Sequence, residues 1–313
     1  MTSLSLRVLT AEHLSPTLRR LRVADVQGRP LPRVTPGSHI VLALPVAGGL
    51  RRNAYSITQV GEHGAFYEII VRHATTSRGG GSAFIHTQLQ VGMELAATAP
   101  SNFLALESTA RKVLLIGAGV GVTPLLALAS AQLDRGGAVE FHQVCTPAER
   151  DVFTALLAPF GAGRTQVHTS RAGLDLPTLF ARQPLGTYIY TCGPHAMMEH
   201  IHTEATAMGW PAGRIHRENF GAGGGKPFVV HLTRSERSVA VAADQSLLDA
   251  LESAGVDAPC LCRGGACGMC RTAVVDGEPE HRDDFLSAEE KASGRWIMPC
   301  VSRARSNALT LDL

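Results

Sequence analysis

The chain has 313 residues, of which 45% are hydrophobic and 18% are charged, so it can form two or three domains with complete hydrophobic cores. Its formal net charge of +2 gives no case for nucleic acid as a partner. The charge is uneven, because residues 225–313 carry 10 Lys or Arg and 13 Asp or Glu, a formal −3, and the remainder carries +5.

Alternating apolar residues predict β-strands in the first third of the chain. Leu4, Leu6 and Val8 share one strand face, and a strand with a period of two buries alternate side chains. Further strands are predicted near 20–23 and over 39–45, 54–60 and 65–73, and a short helix over about 82–89. The pattern is typical of a small antiparallel β-barrel over residues 1–107.

Two places in this segment have residues that are typical of ligand binding. Arg51-Arg52 is followed by Tyr55-Ser56, which suits a flat ligand with an anionic end, although a strand tyrosine often only packs. Arg78-Gly79-Gly80-Gly81-Ser82 precedes the predicted helix, where free N–H groups and the helix dipole favour a phosphate. The alternative is a flexible loop with a serine cap. Together the two places indicate a flavin.

Alternating strands and helices over residues 108–224 predict a doubly wound parallel sheet. The strand 112–116 leads into a glycine-rich turn with Gly119 and Gly121, which is typical of a pyrophosphate site, although buried turns also use glycine. Cys192-Gly193-Pro194 follows the last long strand, and ligands bind at such strand ends. The uncharged run 113–133 is broken by glycines and a proline, so no membrane span is predicted. The N-terminus has no basic segment followed by a long apolar run, so no signal peptide is predicted.

The cysteines of the last segment, residues 225–313, have a specific spacing. Cys262, Cys267 and Cys270 follow C-x4-C-x2-C, and 29 residues separate Cys270 from Cys300. This is the plant-type spacing for a [2Fe–2S] cluster. A zinc site usually has paired motifs, and a disulfide framework belongs to small secreted domains. Three cysteines remain outside the set, which suits a reducing compartment, so we expect a cytoplasmic protein.

With these motifs in view, the whole chain resembles the phthalate dioxygenase reductase and vanillate demethylase reductase family. The resemblance rests on Tyr55-Ser56, Gly80-Gly81-Ser82, the turn from Gly119 to Pro124, Cys192-Gly-Pro194 and the four cysteines. It implies an FMN-binding barrel, an NAD-binding domain and a C-terminal ferredoxin domain of α+β, β-grasp-like fold. The chain departs from the family pattern in two respects. Arg52 stands three residues before Tyr55 instead of two, and the glycine turn is one residue longer, which shifts Arg78.

The resemblance also implies roles for particular residues. Ser56 and Cys192 are expected beside the reacting ends of flavin and nicotinamide. The glycine turn and Arg52 or Arg78 are expected to hold the FMN phosphate, and the spacing leaves open which arginine does so. The remaining expected cofactor contacts are Tyr55, Val71, Gly80, Gly81, Ser82, Gly119, Gly121, Thr123, Gly193 and Phe220.

The implied function is that of an oxygenase reductase. Electrons would pass from NADH through FMN and the [2Fe–2S] cluster to a Rieske-type oxygenase. NADH is preferred over NADPH because no Arg or Lys follows the second nucleotide-domain strand before Arg150, although Arg171 could reverse this. One alternative is a reductase for a haem monooxygenase or a stand-alone NADH:acceptor reductase. The other is a redox sensor that binds a partner without catalysis.

Overall fold

A computed structural model describes residues 3–46, 49–74, 80–221 and 224–313. The chain divides into two compact units. The first contains residues 3–45, 52–74 and 82–218. The second contains residues 224–313, Asn219 to Gly221, and two short segments whose described residues are 46, 49–51, 80 and 81.

The predicted barrel is present as an antiparallel sheet with the order β4-β5-β2-β1-β6-β3-β7, which closes because β4 also pairs with β3. Leu4, Leu6 and Val8 are buried on β1 while the residues between them are exposed, as the period of two predicts. The helix α1 is Gly81–Thr87. The strands are β1 Ser3–His13, β2 Leu18–Asp25, β3 Ser38–Val46, β4 Gly49–Val60, β5 Tyr67–Arg72, β6 Glu94–Thr98 and β7 Ser101–Asn102.

The predicted doubly wound sheet is also present, as five parallel strands in the order β10-β9-β8-β11-β12. Apolar residues pack on both of its faces, and Leu18 and Ile70 of the barrel join the core on one face. The strands are β8 Lys112–Ala118, β9 Ala138–Val144, β10 Thr165–His168, β11 Thr187–Cys192 and β12 Ile215–Glu218. The helices are α2 Val122–Asp134, α3 Arg150–Leu157, α4 Leu176–Ala181 and α5 His195–Ala207.

The second unit is a small α+β fold around a core of its own. Its main sheet has the order β14-β13-β19-β15-β17, in which β13 and β19 run parallel. A side-chain hydrogen bond from Ser246 caps α6, and a Ser287–Glu290 capping box begins α7. The elements are β13 Phe228–Leu232, β14 Arg237–Val241, α6 Leu247–Ser253, β15 Thr272–Asp276, β16 Pro279–Glu280, α7 Ala288–Ser293, β17 Trp296–Ile297, β18 Arg303–Ala304 and β19 Ala308–Leu311.

Within the described residues, no helix is both long enough and apolar enough to cross a lipid bilayer.

Candidate functional site

The four cysteines with ferredoxin spacing come together in the second unit. The Sγ atoms of Cys270 and Cys300 lie 3.3 Å apart, and the thiol of Cys262 shares hydrogen bonds with Cys267 and Cys300. Three of the four are buried and Cys267 is partly exposed. All seven cysteines of the chain are free thiols, so these four are available as ligands.

The loop around these sulfurs depends on glycine. Gly265 and Gly268 have φ of 78° and 76°, a region that side-chain-bearing residues rarely adopt. A Cβ at Gly268 would also lie 2.3 Å from the ring of Phe285. The folded loop directs the backbone N–H of Gly264 at Cys262 Sγ, at 3.4 Å. Such donors stabilise negative charge on cluster sulfurs.

Hydrogen bonds among the four thiols shift their pKa values. Hydrogen bonds from Cys267 and Cys300 lower the pKa of Cys262, and the same contact to Cys262 raises the pKa of Cys267. Cys270 has a lowered pKa and Cys300 a raised one, again because of hydrogen bonds among the thiols. Four convergent sulfurs with N–H donors around them form a donor set that fits a [2Fe–2S] cluster.

Cys260 behaves differently from its neighbours. It packs against the hydrophobic core of the second unit, and burial raises its pKa to about 12. A neutral thiol against apolar side chains is a packing residue. This placement leaves the expected four ligands unchanged.

The expected flavin contacts of the first unit lie on two paired strands. β4 and β5 are antiparallel with Ile57 opposite Ile69, so Tyr55 and Val71 lie two residues further along the same pair. Val71 is buried, and its carbonyl oxygen lies 3.0 Å from Nε2 of His86. The hydroxyl of Tyr55 accepts a hydrogen bond of 3.2 Å from Asn53 Nδ2.

Ser56, on β4, has a buried polar side chain. The residue is only 5% exposed, and its Oγ has no hydrogen-bond partner within the described part of the chain. A buried hydroxyl left unpaired costs free energy. A ligand atom that pairs with it would remove that cost, which fits a flavin ring at this position.

The expected phosphate turn is described in part. Gly80 has φ of 69° and leads into α1, and Ser82 Oγ accepts a hydrogen bond of 3.1 Å from the N–H of Ala74. Arg52 is exposed on β4. Arg78 lies outside the described residues, so which arginine serves the phosphate stays open.

The glycine-rich turn packs directly on the strand end that carries Cys192. A Cβ at Gly121 would lie 2.1 Å from the carbonyl oxygen of Cys192 and 2.9 Å from the N–H nitrogen of Gly193. Gly121 therefore permits contact between the two backbone segments that the sequence assigns to the nucleotide. Thr123 is buried, and its hydroxyl donates to the carbonyl of Val120 at 2.9 Å.

Cys192 is completely buried at the end of β11. It lies between Gly117 of β8 and Glu218 of β12 in the sheet register. Burial, and then the nearby Glu218 carboxylate, hold the pKa of Cys192 well above its usual value. A thiol with a raised pKa stays protonated near neutral pH and is a poor nucleophile. Phe220 belongs to the second unit, where it is 47% exposed.

Two residues beside the glycine-rich turn were not predicted. Gln143 is fully buried and donates to the carbonyl of Gly119 at 2.9 Å. Arg72 ends β5, and its Nη1 lies 2.8 Å from the position of a Cβ on Gly119. Its Nη2 also lies 2.9 Å from the buried carboxylate of Glu149. The one available signal in the sequence was a glutamine on the same alternating strand face as the apolar Val139 and Phe141.

Several known proteins are similar to this chain over nearly its whole length. The family described as "2Fe-2S iron-sulfur cluster binding domain" matches residues 230–305. The chain is 40% identical to the haem-dependent oxidative N-demethylase beta subunit of Ectopseudomonas mendocina, over 100% of this chain and 99% of that protein. It is 36% identical to the vanillate O-demethylase oxidoreductase of a Pseudomonas species, over 94% of both chains.

A solved structure matches over the full length as well. It is phthalate dioxygenase reductase, described as a modular structure for electron transfer from pyridine nucleotides to [2Fe–2S]. The TM-score is 0.78 at 30% identity, and the match covers 99% of this chain and 98% of that one. The predicted succession of barrel, doubly wound sheet and ferredoxin fold is thereby confirmed.

Proposed function

We propose that this chain, which belongs to the phthalate dioxygenase reductase family, takes electrons from NADH and delivers them through FMN and a [2Fe–2S] cluster to a separate oxygenase. The observation that carries this function is the set of four convergent thiols within a chain that matches a reductase of this kind from end to end. The redox sensor is disfavoured because a sensor has no need of flavin and nucleotide sites.

Three domains with the boundaries 1–107, 108–224 and 225–313 are part of the proposal. Cys262, Cys267, Cys270 and Cys300 are assigned as the cluster ligands. When bound, the flavin accepts two electrons from NADH together and releases them singly to the cluster. The protein supplies the positions of these groups and keeps water from the buried part of each site.

The roles of the polar residues follow from their surroundings. Ser56 Oγ offers a buried hydroxyl to the flavin ring, since it has no partner among the described residues. The backbone N–H groups of Gly119 and Gly121 would hold the pyrophosphate, and Cys192 and Thr123 would contact the nicotinamide end. The neutral thiol of Cys192 would add no charge beside the nicotinamide ring.

We further propose a Rieske-type oxygenase as the partner and the cytoplasm as the location, where seven free cysteines are maintained. One observation favours a second candidate, a haem-dependent oxygenase, because the relative that is 40% identical is named as a subunit of a haem-dependent demethylase. Both kinds of partner accept single electrons, so the reductase chemistry is the same.

Reconstitution tests the function. Purified protein is expected to reduce a one-electron dye with NADH, and then to support product formation by one of the two oxygenase types. The released flavin is expected to have the mass of FMN, and stoichiometric FAD would contradict the phosphate site. Failure to reduce the dye in flavin- and iron-loaded protein would refute the proposed function.

A further inference from the structure

Four charged side chains form a compact group beside the cluster loop, which we call the α6 charge cluster: Arg51, Asp249, Glu252 and Arg263. Asp249 and Glu252 lie on α6. Arg263 follows the ligand Cys262 directly and has φ of 54°. Arg51 is the fourth member, and it lies 198 residues before Asp249 in the sequence.

Each carboxylate of the α6 charge cluster contacts both arginines. Asp249 Oδ1 lies 3.1 Å from Arg263 Nη1 and also bonds to Arg51. Glu252 Oε2 lies 3.3 Å from Arg51 Nη1, and its other oxygen bonds to Arg263. Two positive and two negative charges thus balance to zero.

The group is partly shielded from solvent. The side chains of Arg51 and Arg263 are 11% and 13% exposed, and those of Asp249 and Glu252 are 28% and 25% exposed. Charges in such positions are screened less by salt and water than surface charges are. A change in the net charge of the α6 charge cluster therefore changes the electrostatic potential at the neighbouring cluster loop.

A [2Fe–2S] cluster gains one negative charge when it is reduced, and its reduction potential depends on the net charge and hydrogen bonding around it. We infer that the α6 charge cluster sets the reduction potential of the [2Fe–2S] cluster, and that Arg51 is its distant positive member. Arg51 keeps two partly buried carboxylates from adding a net negative charge beside Cys262. This inference rests on the proposed cluster site.

The inference predicts opposite signs for opposite charge changes. Arg51→Gln leaves a net charge of −1 and makes the potential more negative, because reduction then adds charge beside uncompensated charge. Glu252→Gln leaves +1 and makes the potential more positive. Arg51→Lys keeps the charge and stays near the wild-type potential.

The matched control is Arg234→Gln. Arg234 belongs to the same unit and pairs with Asp312 at 2.6 Å, but the two side chains are 70% and 41% exposed. The substitution changes the net charge of the protein as much as Arg51→Gln does. Its effect on the potential is expected to be small, because solvent screens it.

The measurement is an equilibrium redox titration of holoprotein with mediators, followed by the electron paramagnetic resonance signal of the reduced cluster, without NADH or oxygenase. Shifts of opposite sign in Arg51→Gln and Glu252→Gln, both larger than in Arg234→Gln, support the inference. Equal shifts in Arg51→Gln and Arg234→Gln, or a shift in Arg51→Lys as large as in Arg51→Gln, overturn it.

The same samples separate this inference from the proposed function. Wild-type protein that binds no iron after reconstitution would refute the cluster site itself. Iron-loaded variants that all keep the wild-type potential would refute only the role of the α6 charge cluster. Should Arg51→Gln fail to fold, Glu252→Gln and Arg51→Lys still decide the sign and the charge dependence.

Discussion

Gly121→Ala tests whether the glycine-rich turn and the Cys192 strand end must touch. The added Cβ would lie 2.1 Å from the carbonyl oxygen of Cys192, where an ordinary contact is at least 3.4 Å. The atoms that it meets belong to the backbone of Cys192 and Gly193, so no side chain can rotate away. The two segments must therefore separate by about 1 Å, which is typical of overpacking.

Overpacking of this kind costs about 1–3 kcal/mol. Part of that cost reduces the free energy of unfolding. The rest weakens NADH binding, and each 1.4 kcal/mol lost from the binding free energy raises the dissociation constant about tenfold. Rapid-mixing measurements of flavin reduction over a range of NADH concentrations give the apparent dissociation constant. Urea unfolding gives the stability of the same samples.

Gly163→Ala is the control, since a Cβ at Gly163 meets nothing within 4 Å and the residue has no positive φ. It is expected to change neither property by more than about 0.5 kcal/mol. A Gly121→Ala protein with wild-type stability and wild-type NADH affinity would show that the turn and the strand end need not be in contact.

Three further predictions concern ligands, nucleotide and pH. Cys300→Ser is expected to lose the iron–sulfur absorption spectrum and Cys260→Ser to keep it; the reverse result would overturn the ligand assignment. Steady-state kcat/KM is expected to be higher with NADH than with NADPH, and a preference for NADPH that disappears in Arg171→Ala would identify that exposed arginine as a phosphate ligand. Burial raises the pKa of Glu140, but hydrogen bonds led by that from Lys112 outweigh it and lower the pKa to about 2 from 4.5. The ionised carboxylate therefore stabilises the fold fully above pH 4.5 and loses this effect as the pH falls towards 2. Glu140→Gln is expected to flatten acid unfolding in that window, and an unchanged acid midpoint would contradict this.

The parts of the site that could be predicted from sequence are those encoded locally. Cys262, Cys267 and Cys270 lie within one loop, and their spacing specifies the chemistry before the fold is known. Gly119 and Gly121 are recognisable because a buried strand precedes them and a helix follows. The period of two in β1 likewise follows from burial of one strand face.

The parts that could not be predicted depend on contacts between distant residues. Arg72 is 77 residues before Glu149, and no local pattern indicates that the two form an ion pair. The sequence indicates only that Arg51 belongs to a basic pair, and it does not indicate the contact with Glu252. The bounds of helix α4 could also not be predicted, because six residues carry too little periodicity.

The membership of the second unit bears on how far its cluster domain can be separated from the rest. Residues 49–51 belong to this unit although the chain places them some 170 residues before its main part. A fragment that begins at residue 225 would keep all four cysteine ligands but would lack Arg51. Exchange of ferredoxin segments between relatives, by recombination or by engineering, would therefore transfer the ligands without the charge that balances Asp249 and Glu252. A transplanted segment would need a compensating arginine from its new host, or one carboxylate fewer, to behave as it does in this chain.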